Sequence, residues 1–430
     1  MVLALALLVF TAATAGLVLL VEPIPTWYYH LAWWSYVAAA DDLNRRLAGR
    51  SLLRDRPRRF LWLAAASVLW WTLFEAINLR LGDWYYVMDP PSRAARWTGG
   101  VLAFATVLPG IVETLELVEN LGVLRRVEVA RVRWTRVKEG ACLALGGASF
   151  ALPLLWPDVF FPLTWGSFVF LIEPWNRRHA RRSFLRDLEA GEAGPFCRTL
   201  AAGLVCGLLW ETWNFWARSK WIYTVPVFDE VKLFEMPLLG FLGFPPFAVE
   251  CLVLVRFLSA WCAARAWTAS PYVRVMTAVI GCTATLGVFA LVDPVTVDSL
   301  YAPVRELRPL PAPVRDRLAS LGLGSPEKVR RALDDPEERA RVAAASGLGV
   351  DELERARESV ALVLHQGLGE ERTLRLQRVG IRRVADLERW PPTELAAALR
   401  AQGPRPKDRF LERRAAVWIR AARARSLSAR

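Results

Sequence analysis

Leu208–Glu250 reads LLWETWNFWARSKWIYTVPVFDEVKLFEMPLLGFLGFPPFAVE. Glu211 and Asn214 stand near the end of an apolar run that starts at Thr199, an aromatic loop follows, and a second apolar run carries Pro246 and Glu250. An ionisable side chain inside a bilayer costs several kcal/mol on most scales, so its presence there marks a functional site by default. The same pattern occurs earlier in the chain. LFEAIN (Leu73–Asn78), DWYY (Asp83–Tyr86) and PGIVE (Pro109–Glu113) match WETWN, KWIY and PFAVE in order. Glu75 maps to Glu211, Asn78 to Asn214, Trp84 to Trp221, Tyr86 to Tyr223, Pro109 to Pro246 and Glu113 to Glu250 at a nearly constant offset, which makes this an internal repeat. Asp41, Asn44 and Arg45 have counterparts in Glu173, Asn176 and Arg177, so the repeat spans nearly all of the apolar part.

Composition is uneven. Up to about Pro294 the chain is strongly apolar; beyond it Arg, Glu and Ala dominate. The runs Leu3–Val21, Phe60–Ile77, Gly99–Val118, Gly140–Trp156, Thr199–Phe215, Met236–Phe257 and Met276–Val292 approach or reach the length needed to cross a hydrocarbon core of about 30 Å. Trp27–Ala40 and Phe160–Ile172 are shorter candidates. The expected fold is all-α: a polytopic transmembrane bundle of two parallel four-span repeats plus a final span, followed by a small soluble helix-hairpin-helix domain. The expected boundaries are 1–138 and 139–297 for the repeats, 298–311 for a Pro-bearing linker, and 312–430 for the soluble domain with its basic end.

Much of the net charge of +13 lies in Arg-rich loops at 44–59, 125–138 and 177–186 and in the tail. The positive-inside rule places those loops in the cytoplasm, with the N-terminus inside and the aromatic loops at 79–97 and 216–235 outside, in a bacterial plasma membrane. The Gly- and Pro-broken stretch LLGFLGFPPF leaves the count open: nine spans put the tail outside, ten inside. A cytoplasmic C-terminal domain is the expectation. Six cysteines without CxxC spacing and three scattered histidines give neither a disulfide framework nor a sequence-local zinc site, and no metal or cofactor is expected.

The four membrane carboxylates form a symmetric set. Glu75, Glu113, Glu211 and Glu250 are the candidate catalytic groups of one central site, with at least one carboxyl held protonated by burial and like-charge neighbours. Asn78 and Asn214 lie one turn after their glutamates on the same helix face, and with Trp84, Trp221, Tyr86 and Tyr223 they are the candidate ligand contacts. The alternative is that each glutamate caps a helix or hydrogen-bonds Asn or Trp to fix packing. The chain has twenty tryptophans; Trp70, Trp71, Trp210, Trp213 and Trp216 also flank the glutamates. Such residues build interfacial belts or a π-rich pocket for a cationic or polyene ligand.

With LFEAINLRLGDWYYV and VLPGIVE in the first unit, and WETWNFWARSKWIYTV and LGFPPFAVE in the second, the apolar part resembles the membrane-integral lycopene cyclases and, more distantly, the carotenoid hydratases. The resemblance implies tandem halves and metal-free protonation of an isoprenoid chain. The chain departs from the family's pattern in having one glutamate four residues after the proline, where the cyclases carry two adjacent acids closer to it, and Glu in place of Asp on the first helix.

The tail has Gly-Leu-Gly turns at Gly322, Gly347 and Gly367, and over most of 312–400 it resembles a bacterial domain family of unknown function built of tandem helix-hairpin-helix units. Hairpins of that type hold DNA phosphate on the N–H groups of the glycine turn. Here Glu370 and Glu371 follow the best turn and oppose phosphate, while Arg372 and Arg375 partly compensate. A protein partner or self-association through 312–400 is therefore expected ahead of nucleic acid, and the Arg-rich end suits anionic lipid. Three function classes follow: an enzyme acting by proton transfer on an isoprenoid or other membrane lipid, a non-catalytic membrane scaffold displaying the hairpin domain, and a carrier for a small hydrophobic or cationic solute.

Overall fold

Pro57 in the first turn and Gly82 just past the last bound a 25-residue helix, Pro57–Leu81; Gly82 takes a left-handed φ of 67° and returns its N–H to Asn78 O. Ile24–Ala48 is punctuated the same way, with Gly49 at a φ of 70°, in the computed structural model, which describes residues 1–226, 231–264 and 270–428. Residues 227–230 of the second aromatic loop and 429–430 of the basic end lie outside the described residues.

Four helical stretches are long and apolar enough to cross a membrane: Pro57–Leu81, Arg93–Asn120, Leu238–Ala263 and Pro271–Thr296. Val2–Val18 is apolar but shorter, and Ile24–Ala48 and Gly194–Trp216 pack among them. The Ile24–Ala48 helix runs eight residues beyond the expected end at Ala40. Asp41 explains this: its carboxylate accepts Ser51 Oγ at 2.5 Å and the N–H groups of Leu52 and Leu53, tying the next turn onto the helix. LLGFLG forms a 3₁₀ turn, Leu238–Gly243, that leads into the helix Phe244–Ala264. That helix lies tightly on Gly194–Trp216, because a Cβ on Gly203 would come within 2.6 Å of Ala248 Cβ and one on Gly207 within 2.3 Å of the Phe244 ring. The small-residue face of the Glu211 helix thus meets the helix that carries Glu250.

The three Arg-rich loops gather at one end of the bundle. Asn120 donates to Asn44 at 3.0 Å, Arg198 to Leu124 O at 3.1 Å, Val129 N–H to Gly191 O, and Arg177 to Glu189 at 2.8 Å.

At the other end the two aromatic stretches pair. β1 (Trp84–Val87) and β2 (Lys220–Tyr223) run antiparallel with Trp84 opposite Tyr223, Tyr85 opposite Ile222 and Tyr86 opposite Trp221. Since Trp84 is the repeat counterpart of Trp221 and Tyr86 of Tyr223, the register is two-fold symmetric about the Tyr85–Ile222 pair. The chain is mostly helical, as expected, and this short ladder is added to the helices. Short aromatic, β-prone stretches brought face to face by repeat symmetry satisfy their backbone in a ladder.

The C-terminal helices, from Ala312–Ser320 to Leu411–Ser428, dock on this ladder. Tyr85, Val87, Met88 and Ile222 belong to one hydrophobic core with Val314, Leu318, Val329, Leu333, Val360 and Val417. Trp418 donates to Tyr85 Oη at 3.1 Å, and Asp298 N–H donates to Tyr86 O at 2.8 Å. One expectation changes: residues 298–311 are not a spacer, because Val304, Leu307 and Leu310 are buried in that same core. The C-terminal region lies at the end of the bundle opposite the three Arg-rich loops.

Buried ion pairs reinforce the seat. Asp298, fully buried, accepts from Arg372 at 2.7 Å and Arg414 at 2.8 Å, and Asp408 accepts from Arg372 at 2.6 Å and from Arg375. Burial pushes the Asp298 carboxyl up, but the guanidinium groups outweigh it and hold it at about 2. Arg372 and Arg375 are therefore spent on carboxylates and do not compensate for Glu370 and Glu371 toward phosphate; those glutamates pair with Arg308 and Lys407.

Candidate functional site

Glu75 and Glu211 project from equivalent places toward the ladder, and each meets the tyrosine of its own repeat. Tyr86 donates to Glu75 Oε1 at 2.5 Å and Tyr223 to Glu211 Oε1 at 2.8 Å. Glu75 Oε1 also accepts the indole N–H of Trp71 at 3.0 Å and of Trp84 at 3.2 Å. Both glutamates are buried, and in each Oε2 has no hydrogen-bond partner among the described residues. Strand periodicity produces this arrangement. Tyr85, Val87 and Ile222 turn to the C-terminal core, so Trp84, Tyr86, Trp221 and Tyr223 turn to the bundle.

Asn78 and Asn214 serve the same strands. Asn78 donates to Trp84 O at 2.9 Å and accepts from Asp83 N–H at 2.8 Å; Asn214 donates to Trp221 O at 2.9 Å and accepts from Trp221 N–H at 3.0 Å. Both carboxamides are engaged by backbone, which makes them clamps that start each strand.

Glu113 and Glu250 lie apart from this pair. Glu113 Oε2 accepts from Asn44 at 2.9 Å, and Glu250 Oε1 accepts Phe168 N–H at 2.8 Å. Asn176, the counterpart of Asn44, donates to Val253 O, about one turn beyond the repeat-equivalent acceptor. No hydrogen bond joins one of the four glutamates to another among the described residues. Hydrogen bonds thus tie Glu75 and Glu211 to the ladder, and Glu113 and Glu250 to Asn44 and the Phe168 backbone.

Two cavities meet at a shared wall of Trp71, Tyr86, Trp210 and Trp221. The larger, about 410 Å³, is apolar: Trp84, Trp165, Phe244, Phe247 and Met236 line it, with the Tyr223 ring at one side. Its rim includes Val159, Leu239 and Leu242, which are exposed on the apolar flank of the bundle. The smaller, about 130 Å³, reaches Glu75 and is ringed by charged groups, Asp89, Arg96, Lys220 and Asp293. Glu113, Glu211 and Glu250 line neither cavity directly.

Of the tryptophans that flank the glutamates, Trp71, Trp84, Trp210 and Trp221 build these cavities. Trp216 is exposed, as a belt residue should be. The Arg96–Asp293 pair, at 2.6 Å, joins the first repeat to the last apolar helix and is absent from the repeat pattern that led to the other residues. Its signal in the sequence was faint: an arginine and an aspartate at the edges of separate apolar runs.

Residues 311–425 match the family model described as "Domain of unknown function (DUF4332)". That is the C-terminal region, hairpins included. No curated protein and no solved structure matches the chain, so the cyclase resemblance of the apolar part gains no support from relatives.

Proposed function

We propose that the chain is an integral membrane protein that takes the apolar chain of an isoprenoid or another membrane lipid into the larger cavity, and that Glu211 exchanges a proton with it through Tyr223. The single observation that carries this is the Glu211–Tyr223 hydrogen bond at the side of an aromatic cavity whose rim is exposed apolar surface. In the reacting state the Glu211 carboxyl donates to the phenol oxygen, the reverse of the resting hydrogen bond; its proton moves to Tyr223 as the phenol proton passes to the bound chain, and the cationic chain later returns a proton through Tyr223 to the Glu211 carboxylate. The aromatic walls face the positive charge that the chain then carries. In this reading the positive-inside rule assigns the Arg-rich loops to the cytoplasm and the C-terminal domain, at the opposite end of the bundle, to the outside. The test is conversion of host lipid extract by the full chain in nanodiscs, followed by mass spectrometry. Glu211→Gln and Tyr223→Phe should each abolish turnover while lipid still co-purifies. Full turnover in both would end the proton-transfer proposal.

One observation favours a second function, a scaffold. Asn78 and Asn214 hold the strands on which the C-terminal domain sits, and the tyrosines of those strands bond the glutamates. A scaffold predicts that Glu211→Gln changes domain docking and nothing chemical.

A further inference from the structure

The smaller cavity has a composition of its own. Glu75 is 1% exposed, its Oε1 accepts three donors, and its Oε2 has none among the described residues. Arg96 pairs with Asp293 and Lys220 with Glu235 at 2.5 Å, while Asp89 accepts the neutral Ser219 hydroxyl. No cation lies within ion-pair distance of Glu75 or Asp89 among the described residues, so the cavity has two carboxyls without a counter-charge, and of these Glu75 is the one with an oxygen that accepts no donor. Around it stand the rings of Trp27, Trp71, Trp97, Trp210, Trp221 and Phe289. Ring faces carry negative potential and attract a cation that has shed its water. A buried carboxylate oxygen lacking a donor makes the same demand more directionally, since it accepts N–H bonds.

We infer that this cavity is a binding site for a small organic cation of the primary-ammonium class, held by Glu75 Oε2 and the surrounding rings. An alkylammonium group fits on two counts: its N–H bonds satisfy Oε2, and its charge meets the rings. A quaternary ammonium satisfies only the second. About 130 Å³ suits a head of a few heavy atoms. The amine is either a free solute or the head group of an aminophospholipid, and the chemistry at Glu75 is the same. The site is distinct from the Glu211–Tyr223 chemistry, because Glu75 lines only the smaller cavity.

The experiment titrates the full chain, in nanodiscs of phosphatidylglycerol, with ethylammonium and then with choline, following tryptophan fluorescence and calorimetric heat. Saturable ethylammonium binding, weaker choline binding, and a loss of about ten-fold or more in Glu75→Gln are expected. Ala95→Trp, which places a ring at the half-buried rim of the cavity, should also block binding and does not disturb Glu75. Nanodiscs of phosphatidylethanolamine separate the sources. If the lipid head occupies the site, they reproduce the fluorescence change and exclude ethylammonium; if the ligand is a solute, ethylammonium binds equally in both. Choline binding as tight as ethylammonium, or unchanged affinity in both Glu75→Gln and Ala95→Trp, would overturn the inference, as would absence of binding in both lipids. Loss of lipid conversion in Glu211→Gln with intact amine binding keeps the two sites separable.

Discussion

Tyr85 and Ile222 face each other across the β1–β2 ladder at the point where the two repeats are related, and both are fully buried in the core of the C-terminal domain. The seam between the repeats is therefore also the seat of the domain. Trp418, itself fully buried, closes the contact with an indole N–H to Tyr85 Oη.

Trp418→Phe keeps most of the packing and removes that hydrogen bond, so it should lower the unfolding free energy of the docked domain by about 1 kcal/mol. Trp418→Ala should cost about 3–5 kcal/mol through the cavity it leaves. Denaturant titration of the full chain in detergent, followed by resistance of the C-terminal region to protease, measures both.

His365 sits beneath Trp418, its Nε2 2.8 Å from Trp418 O, and burial pushes its pKa down to about 4, with Arg330 and Arg425 acting in the same direction. A folded-state pKa below the unfolded value of about 6.5 means that the unfolded chain binds the proton more readily. Stability is then present above about 6.5 and is lost as pH falls toward 4, by roughly 3 kcal/mol. Thermal melts across this window should show the loss in the parent chain and a flatter limb in His365→Gln. Equal slopes would remove His365 as the cause.

Gly367 has a φ of 62°, and a Cβ there would come within 2.4 Å of Val87. Gly322 has a φ of 79° with open space around it. Gly322→Ala should cost only the left-handed backbone penalty of about 1–2 kcal/mol, whereas Gly367→Ala should cost that and also lift the hairpin from the ladder. Hydrogen exchange over Trp84–Val87 should rise in Gly367→Ala alone. The same occlusion predicts no measurable duplex DNA binding by this turn in the full chain, which a salt-dependent gel shift would check.

Sidedness is open to labelling. Ser51 is a poor probe, because its hydroxyl is buried against Asp41. Arg58 and Val350 are exposed, at the loop end and on the C-terminal domain. In a background without native cysteines, an impermeant thiol reagent applied to intact cells should label Val350→Cys and spare Arg58→Cys. Labelling of both or neither from one side would contradict a membrane around the bundle.

The repeat, the apolar helices and the helical tail were legible because each rests on periodicity or composition. Glu75 and Glu211 stood out because carboxyls in apolar runs are costly. Their separation from Glu113 and Glu250 was not legible, since it depends on how far each helix carries its side chain toward the ladder. The ladder itself was hidden because four-residue strands such as WYYV give too little alternation to distinguish from an aromatic loop. Arg372 read as a charge facing phosphate; only its pairing with Asp298, 74 positions away, shows that it is buried.

Four residues, Trp84 to Val87, serve two tenants at once. With a side-chain period of two, a single insertion or deletion within DWYYV would exchange them, turning Tyr85 into the cavities and Tyr86 into the C-terminal core. The length of this segment is thus under tighter constraint than its composition. Conservative substitutions at Tyr85 or Val87 can be absorbed one at a time, but a frame slip of one residue would evict both tenants together.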